Sequence, residues 1–221
     1  MNILISFGVI VCSFSMSTIT SFLICYANNY PFINPTFSNE ERITRINEYI
    51  RNVPLLIFQS TGLMYIVSDN IIPYGRHTWF ESFYSMSLYC LLIEAIYYTY
   101  HRIIHKYYYT NVHKKHHTNI IVYPFDTFFL TELDDLASII SIGAPIIFIN
   151  ISICEQIIIL YIYITTSYLS HSESYWSHHS IHHKLLNYNY CILFPIFDII
   201  FGTYRSYGVI SNTLENKNNT K

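Results

Sequence analysis

The chain has 221 residues, of which 52% are hydrophobic and only 12% are charged. A soluble globular domain usually carries about 25% charged residues, so this composition indicates a protein that lies in a membrane. The formal net charge of -2 excludes a strongly basic nucleic-acid-binding protein. The high content of isoleucine, tyrosine and phenylalanine excludes a disordered chain. The 5 cysteines form no C-x-x-C pair, so neither a disulfide framework nor a thiolate metal site is expected.

Three apolar segments precede the first histidine-rich stretch. The segment 3–27 carries no charge and is long enough to cross a bilayer as a helix. A cleaved signal peptide is the alternative interpretation, but no basic residue precedes this run, which is also longer than a signal peptide needs. A polar connection with a short surface helix over 40–51 leads to a weaker apolar segment, 53–72, and to a turn at 73–75. The third segment, 79–100, ends directly at the first histidine pair.

The last apolar block, 136–169, is predicted to enter and leave the membrane as a hairpin. Histidine-rich stretches flank it at 101–117 and 171–183. If these stretches meet at one site, the chain must return to the side from which it started. Each arm has only about 15–17 residues, which is near or below the length of a full span. The hairpin is therefore expected to be shallow, tilted or shielded by protein.

These segments predict an all-α integral membrane protein with about four transmembrane helices and a cytosolic helical cap that carries the histidines. Residues 1–78 form the N-terminal membrane segments and the polar connection, 79–205 the histidine-bearing domain, and 206–221 a polar tail. All lysines and arginines except Arg76 lie on the side of the histidines in this topology. Basic residues accumulate on the cytosolic side, so the histidines face the cytosol and a sequon at Asn218 stays unmodified.

Histidines are the chemically distinctive residues of this sequence. Nine of the 11 form three clusters, and a tenth, His171, lies shortly upstream of the third. The clusters are His101 and His105; His113, His116 and His117; and His178, His179, His182 and His183. Residues three and four positions apart share one face of a helix, so each cluster projects two or three imidazoles in one direction. Imidazole binds iron, zinc and copper, and this number of imidazoles exceeds the needs of one tetrahedral ion. Two metal ions are therefore expected.

A plain alternative is a histidine-rich surface at the membrane interface, completed by Lys114 and Lys115. The repeated helical spacings disfavour it, because scattered surface histidines show no such order. His77 stands alone and is interpreted as a surface residue. His178 lies one position before the ligand pattern of its cluster, which favours a hydrogen-bonding role beside a ligand over a direct metal contact.

The three clusters resemble the histidine motifs of the fatty acid hydroxylase and sterol desaturase superfamily. Its pattern of H-x-x-x-H, H-x-x-H-H and H-x-x-H-H is matched at 101–105, 113–117 and 179–183. The resemblance covers 79–205, which is thereby identified as the catalytic domain. The pair His178-His179, the Asn-Tyr-Asn-Tyr run at 187–190, the Gly-Thr-Tyr-Arg run at 202–205 and Pro124-Phe125 are most similar to sterol 5-desaturases.

The sequence departs from the family pattern at positions near the site. Cys191 stands where the family usually has glycine after Asn-Tyr, and His171 is followed by Ser172 and Glu173 instead of a short sequence ending in glycine. Loss of glycine removes a close backbone approach, so the shape of the pocket and the substrate stay open. The histidines themselves are intact.

The resemblance implies a non-haem di-iron oxidoreductase that uses dioxygen to desaturate or hydroxylate a lipid, with a sterol as the favoured substrate. The implied metal ligands are His101, His105, His113, His116, His117, His171, His179, His182 and His183. Glu132, Asp134 and Asp198 are expected to hydrogen-bond ligand histidines, and His178 is expected as such a partner or as a further ligand. Tyr97, Tyr100, Phe125 and Phe128 are interpreted as walls of the substrate pocket, or as part of an aromatic belt.

No haem, flavin or nicotinamide motif occurs in the sequence, so electrons must come from a partner. By resemblance this partner is cytochrome b5 with its reductase, and the location is the endoplasmic reticulum. Three alternatives stay open: a fatty acyl or sphingolipid hydroxylase of the same superfamily, a histidine-rich metal transporter, and a non-catalytic membrane scaffold. A transporter is disfavoured because the apolar segments carry few ionisable residues along a path.

Overall fold

The computed structural model describes residues 2–72 and 75–206. The predicted turn at Pro73 and Tyr74, the sequon at Asn218 and nearly all of the polar tail lie outside these residues. The helices are α1 (Ile3–Ala27), α2 (Asn39–Ile66), α3 (Trp79–Ile103), α4 (Glu132–Gly143), α5 (Ile153–Ser170), α6 (His178–Leu185) and α7 (Ile196–Ile200). A π-helix, Ile104–His113, continues α3, and short 3-10 turns occupy Ser68–Asn70, His116–Thr118, Pro124–Phe128 and Ala144–Ile147. The mostly helical fold is confirmed.

Helices α1 and α5 are long and apolar enough to cross a membrane, and they pack against each other. The buried face of α1 carries Ser6, Ser13, Ser17 and Ser21 between apolar residues. Small side chains on one helix face let two backbones approach closely, as in membrane helix pairs. The hydroxyl of Ser17 donates to the carbonyl oxygen of Tyr161 in α5 at 3.2 Å, which ties the two helices together.

Helix α2 corrects one sequence prediction. The sequence predicts a short helix over 40–51 and a separate apolar segment over 53–72, but α2 runs through both from Asn39 to Ile66 and passes through Pro54. The last part of the apolar segment forms the 3-10 turn Ser68–Asn70 and a short strand. A capping box between Ser38 and Glu41 starts α2. The change of polarity along the chain therefore does not mark a break in the helix.

The chain reverses between α4 and α5 and returns to the histidines. Strand β2 (Ile151–Ser152) lies in this reversal and pairs in parallel with β1 (Ile71–Ile72), which follows α2. The end of α2 and the start of α5 therefore lie at the same end of the bundle, opposite the histidines. Helices α2 and α4 approach closely at Gly143, where an added Cβ atom would lie 2.7 Å from a methyl carbon of Leu63.

Asn52 connects α2 to the segment that follows the second histidine cluster. Its buried side-chain amide donates to the carbonyl oxygens of Phe128 at 3.1 Å and Leu130 at 3.2 Å. Both carbonyls lose this donor if the side chain is apolar, and a buried polar group without a partner costs about 1–3 kcal/mol.

We expect Asn52→Leu to lower the melting temperature of the detergent-purified protein by about 5 °C. Asn47→Leu is the matched control, because Asn47 lies on the same helix and is exposed. Thermal unfolding of the two variants and the wild type checks this prediction. Equal melting temperatures for the two variants would contradict it.

Candidate metal centre

The histidine side chains converge from both sides of the α4–α5 hairpin. His101 lies in the last turn of α3, and the π-helix that follows carries His105 and ends at His113. His116 and His117 occupy the next 3-10 turn, and His171 caps the C-terminus of α5. Helix α6 contributes His179, His182 and His183. Eight of these nine imidazoles are buried and His105 is half-buried.

The nine imidazoles form two groups, and the nitrogen atoms within each group lie within 4.8 Å of one another. The five-histidine group comprises His101, His105, His113, His117 and His182, and the four-histidine group comprises His116, His171, His179 and His183. Each group contains histidines that precede the α4–α5 hairpin and histidines that follow it. The reversal of the chain therefore brings the members of both groups together.

Hydrogen bonds of the outer ring nitrogens orient the imidazoles. The Nδ1 atoms of His101, His182, His171 and His183 donate to main-chain carbonyls of Tyr190 at 2.8 Å, Tyr188 at 2.6 Å, Ser167 at 2.7 Å and Asn119 at 3.2 Å. The Nδ1 atom of His113 donates to the Asp134 carboxylate at 2.7 Å. A carbonyl or carboxylate oxygen only accepts, so Nδ1 carries the proton in each case. The Nε2 atom of a neutral imidazole then has a free lone pair.

The inward-facing Nε2 atoms lie too close together to be satisfied by the protein alone. The Nε2 atoms of His101 and His113 are 3.0 Å apart, although both are acceptors. In the other group, Nε2 of His116 lies 3.1–3.2 Å from those of His171, His179 and His183. A single proton on His116 can serve only one of these neighbours. Lone pairs that face one another at this distance fit a bound cation, and an all-imidazole donor set fits iron or another transition metal.

Burial favours the neutral form, which binds metal, in eight of these imidazoles. Removal from water lowers the pKa of His105 to about 3 and that of His171 to about 4. Burial together with neighbouring imidazoles also lowers the pKa values of His116, His179 and His183 far below the usual range. The lone pairs are therefore available at neutral pH.

The buried carboxylate of Glu94 holds the loop that follows α6, behind the histidines. The sequence patterns did not indicate this residue as part of the site. Glu94 in α3 accepts hydrogen bonds from the backbone N–H groups of Ile192, Leu193 and Phe194 at 3.0–3.2 Å, and from the hydroxyl of Tyr163 at 3.0 Å. An acidic residue in an apolar helix is rare, which was the available signal for a special role.

Asp198 fixes the same loop from its other end. Its carboxylate accepts from the backbone N–H groups of Tyr190 at 2.8 Å and Cys191 at 2.9 Å, and from Nε2 of His178 at 3.2 Å. The carbonyl of Tyr190 is the group that orients His101. Asp198 therefore supports the site through the loop and does not contact an imidazole of either group.

The remaining predicted site residues take distinct positions. Asp134 contacts His113 and also accepts from the hydroxyl of Tyr100. His178 lies outside both groups. Glu132 is exposed at the start of α4, and within the described part of the chain no hydrogen bond joins it to an imidazole. Asn119, which sequence reasoning missed, offers its carbonyl to His183.

An apolar cavity adjoins the histidines, and the centre of a water-sized sphere can occupy about 140 Å³ of it, so the open space itself is larger. His113, His116, His171 and His179 lie at one end of it, and residues of α1, α2, α4 and α5 form its walls. Tyr97 and Phe128 line the cavity as predicted, whereas Phe125 lines a separate small pocket beside Arg45. An apolar molecule in this cavity lies directly against the imidazoles.

Residues 86–203, more than half of the chain, match the family described as fatty acid hydroxylase. The chain therefore belongs to the fatty acid hydroxylase family, and by class it is an oxygen-dependent oxidoreductase that hydroxylates or desaturates a lipid. All nine grouped histidines fall within the matched residues. The superfamily resemblance is thereby confirmed, and the similarity to sterol 5-desaturases stays a prediction. No curated protein and no solved structure matches the chain.

The contact between Asp134 and His113 leads to a prediction for metal binding. In Asp134→Asn, an N–H₂ group replaces one of the two oxygens that accept from His113 and Tyr100, so one donor loses its acceptor. Loss of such a partner typically lowers metal affinity about 10–100-fold, and we expect a decrease of this size for ferrous iron.

Chelator competition under anaerobic conditions measures the affinity of the purified protein. The matched control is Asp135→Asn, because Asp135 is adjacent and equally buried but contacts no histidine. An Asp134→Asn protein that binds iron as tightly as the Asp135→Asn protein would refute the role of Asp134.

Proposed function

We propose that the protein is a membrane-bound non-haem di-iron oxidoreductase that uses dioxygen and external electrons to desaturate or hydroxylate a lipid, with a sterol as the favoured substrate. The observation that carries this proposal is the pair of buried imidazole groups whose unprotonated Nε2 atoms face one another beside an apolar cavity. Membership of the fatty acid hydroxylase family supports iron as the metal.

In this proposal, separate sets of residues hold the ions, orient the imidazoles and enclose the substrate. The five-histidine group holds one iron ion and the four-histidine group holds the other. The bound ions supply activation of dioxygen and oxidation of an unactivated C–H bond. The carbonyls of Tyr188 and Tyr190 and the carboxylate of Asp134 keep the imidazoles oriented. The apolar cavity excludes water and holds one carbon of the substrate next to His116 and His171.

The proposed membrane arrangement has four membrane segments, namely α1, α2, α3 and a shallow α4–α5 hairpin that enters and leaves the membrane on the same side. The apolar character of α1 and α5 supports it, as does the reversal that returns the chain to the histidines. We propose that the histidine end faces the cytosol of an endoplasmic reticulum membrane. Exposed Arg102, Lys106 and Lys114 at that end suit an acidic electron donor, for which cytochrome b5 with its reductase is the proposed source.

The choice of a sterol rests on motif detail, namely the doubled His178-His179 and the runs at 187–190 and 202–205. A fatty acyl or sphingolipid hydroxylase is the second candidate. It is favoured by the largely apolar lining of the cavity, which suits an alkyl chain as well as a ring system.

Lipid profiling tests the reaction. We expect membranes from cells that express the wild type to contain a lipid product that has gained one oxygen atom or lost two hydrogen atoms. The variant His116→Ala removes the imidazole at the centre of the four-histidine group, so the product is expected to fall to the background level.

His77→Ala is the matched control, because His77 lies outside both groups and contacts Glu155 at the far end of the bundle. The control is expected to retain the product at an equal expression level. Product formation that is the same in the His116→Ala and His77→Ala proteins would reject the proposed site.

A further inference from the structure

The cavity has a polar group at the end far from the histidines. Gln156 lines the cavity in the first turn of α5, and its side chain is buried with 4% of the residue exposed. Its Oε1 atom finds no hydrogen-bond partner among the described residues. A buried acceptor without a donor is unfavourable, so this position is suited to a ligand that supplies an N–H or O–H group.

The unpartnered atom of Gln156 is the acceptor end of its amide. Oε1 has no hydrogen-bond partner among the described residues, whereas the amide nitrogen is not among their buried unpartnered atoms. An amide oxygen only accepts, so a ligand at this position must supply the donor.

The spacing along α5 gives the length of the ligand. The face of this helix that lines the cavity runs from Gln156 through Leu160, Ile164 and Ser167 to His171. The 15 steps from Gln156 to His171 correspond to about 22 Å along the helix axis, at 1.5 Å per step. A ligand that reaches from Gln156 to the four-histidine group is therefore long, with an apolar body between its two ends.

We propose that Gln156 binds the hydroxyl group of an elongated lipid alcohol, and that it thereby places the opposite end of the molecule beside the four-histidine group. This inference rests on the proposed function and makes it more specific. For a sterol, the side chain and not the hydroxyl-bearing ring lies next to the histidines. Gln156 then selects oxidation far from the hydroxyl group, in contrast to the ring position that the resemblance to sterol 5-desaturases suggests.

A second unpartnered acceptor lies at the histidine end of the cavity. Asp135 is buried, and its Oδ2 atom has no hydrogen-bond partner in the described part of the chain. Asp135 is adjacent to Asp134, which contacts His113, so a hydroxyl group bound there would lie at the metal end of the cavity. Gln156 is the unpartnered acceptor at the opposite end. We therefore assign the hydroxyl-binding role to Gln156, and Asp135→Asn tests the alternative.

Binding of two matched sterols to the detergent-purified full chain tests the proposal. The probes are radiolabelled cholestanol and cholestanone, which differ in having a hydroxyl group or a carbonyl group at the same carbon. The wild type is expected to bind the alcohol about tenfold more tightly, because only the alcohol donates to Oε1 of Gln156. In Gln156→Leu and in Gln156→Met, whose side chain is similar in length, this preference is expected to disappear.

Two control variants distinguish loss of the hydrogen bond to the sterol from a general disturbance of packing around α5. Tyr89→Phe removes a buried hydroxyl that donates to the carbonyl oxygen of Ile142 but keeps the Gln156 acceptor, and it is expected to retain the preference. Thr165→Val removes another unpartnered polar atom of α5 that does not line the cavity, and it is expected to bind as the wild type does. Melting temperatures show which variants are folded.

Several results would overturn the inference: a wild type that binds neither sterol or does not distinguish them, a preference that survives in both Gln156 variants, or a preference abolished by Asp135→Asn instead. The binding measurement requires no turnover. Lipid oxidation without a Gln156-dependent preference would therefore reject this inference alone. A Gln156-dependent preference without any lipid oxidation would reject the proposed reaction and leave the binding site standing.

Discussion

The structure depends on hydrogen bonds that fix the proton of each oriented imidazole on Nδ1. The lone pair of Nε2 is then free. His101 and His113 show this most clearly, because each donates through Nδ1 to an oxygen and their Nε2 lone pairs face each other at 3.0 Å. In a protein interior, two acceptors at this distance repel each other unless a cation lies between them. Facing lone pairs at this spacing are therefore suited to hold a cation between them.

The rest of the fold maintains this arrangement. Glu94 and Asp198 accept hydrogen bonds from backbone N–H groups of the loop that follows α6. Carbonyl oxygens of the same loop orient His101 and His182. The α4–α5 hairpin brings His171 and α6 back to the earlier histidines and also encloses the cavity. The same reversal of the chain therefore builds the metal groups and places an apolar space beside them.

The sequence predicted a mostly helical chain and the clustering of the histidines, because both depend on local spacing. It did not predict the partners that orient them, since His101 and Tyr190 are 89 residues apart and their contact arises only on folding. The role of Glu94 could not be predicted, because its three backbone donors have no signature in the sequence. The two parts of α2 were predicted as separate segments because a change in polarity was interpreted as a change in structure.

In the proposed enzyme, histidine nitrogens of two adjacent groups hold two iron ions. Iron analysis combined with X-ray absorption at the iron edge, on protein purified without oxygen in detergent, tests this arrangement. We expect two iron ions per chain, each surrounded by nitrogen or oxygen neighbours, with no sulfur. A single iron ion per chain, or sulfur from any of the 5 cysteines in the iron shell, would contradict it.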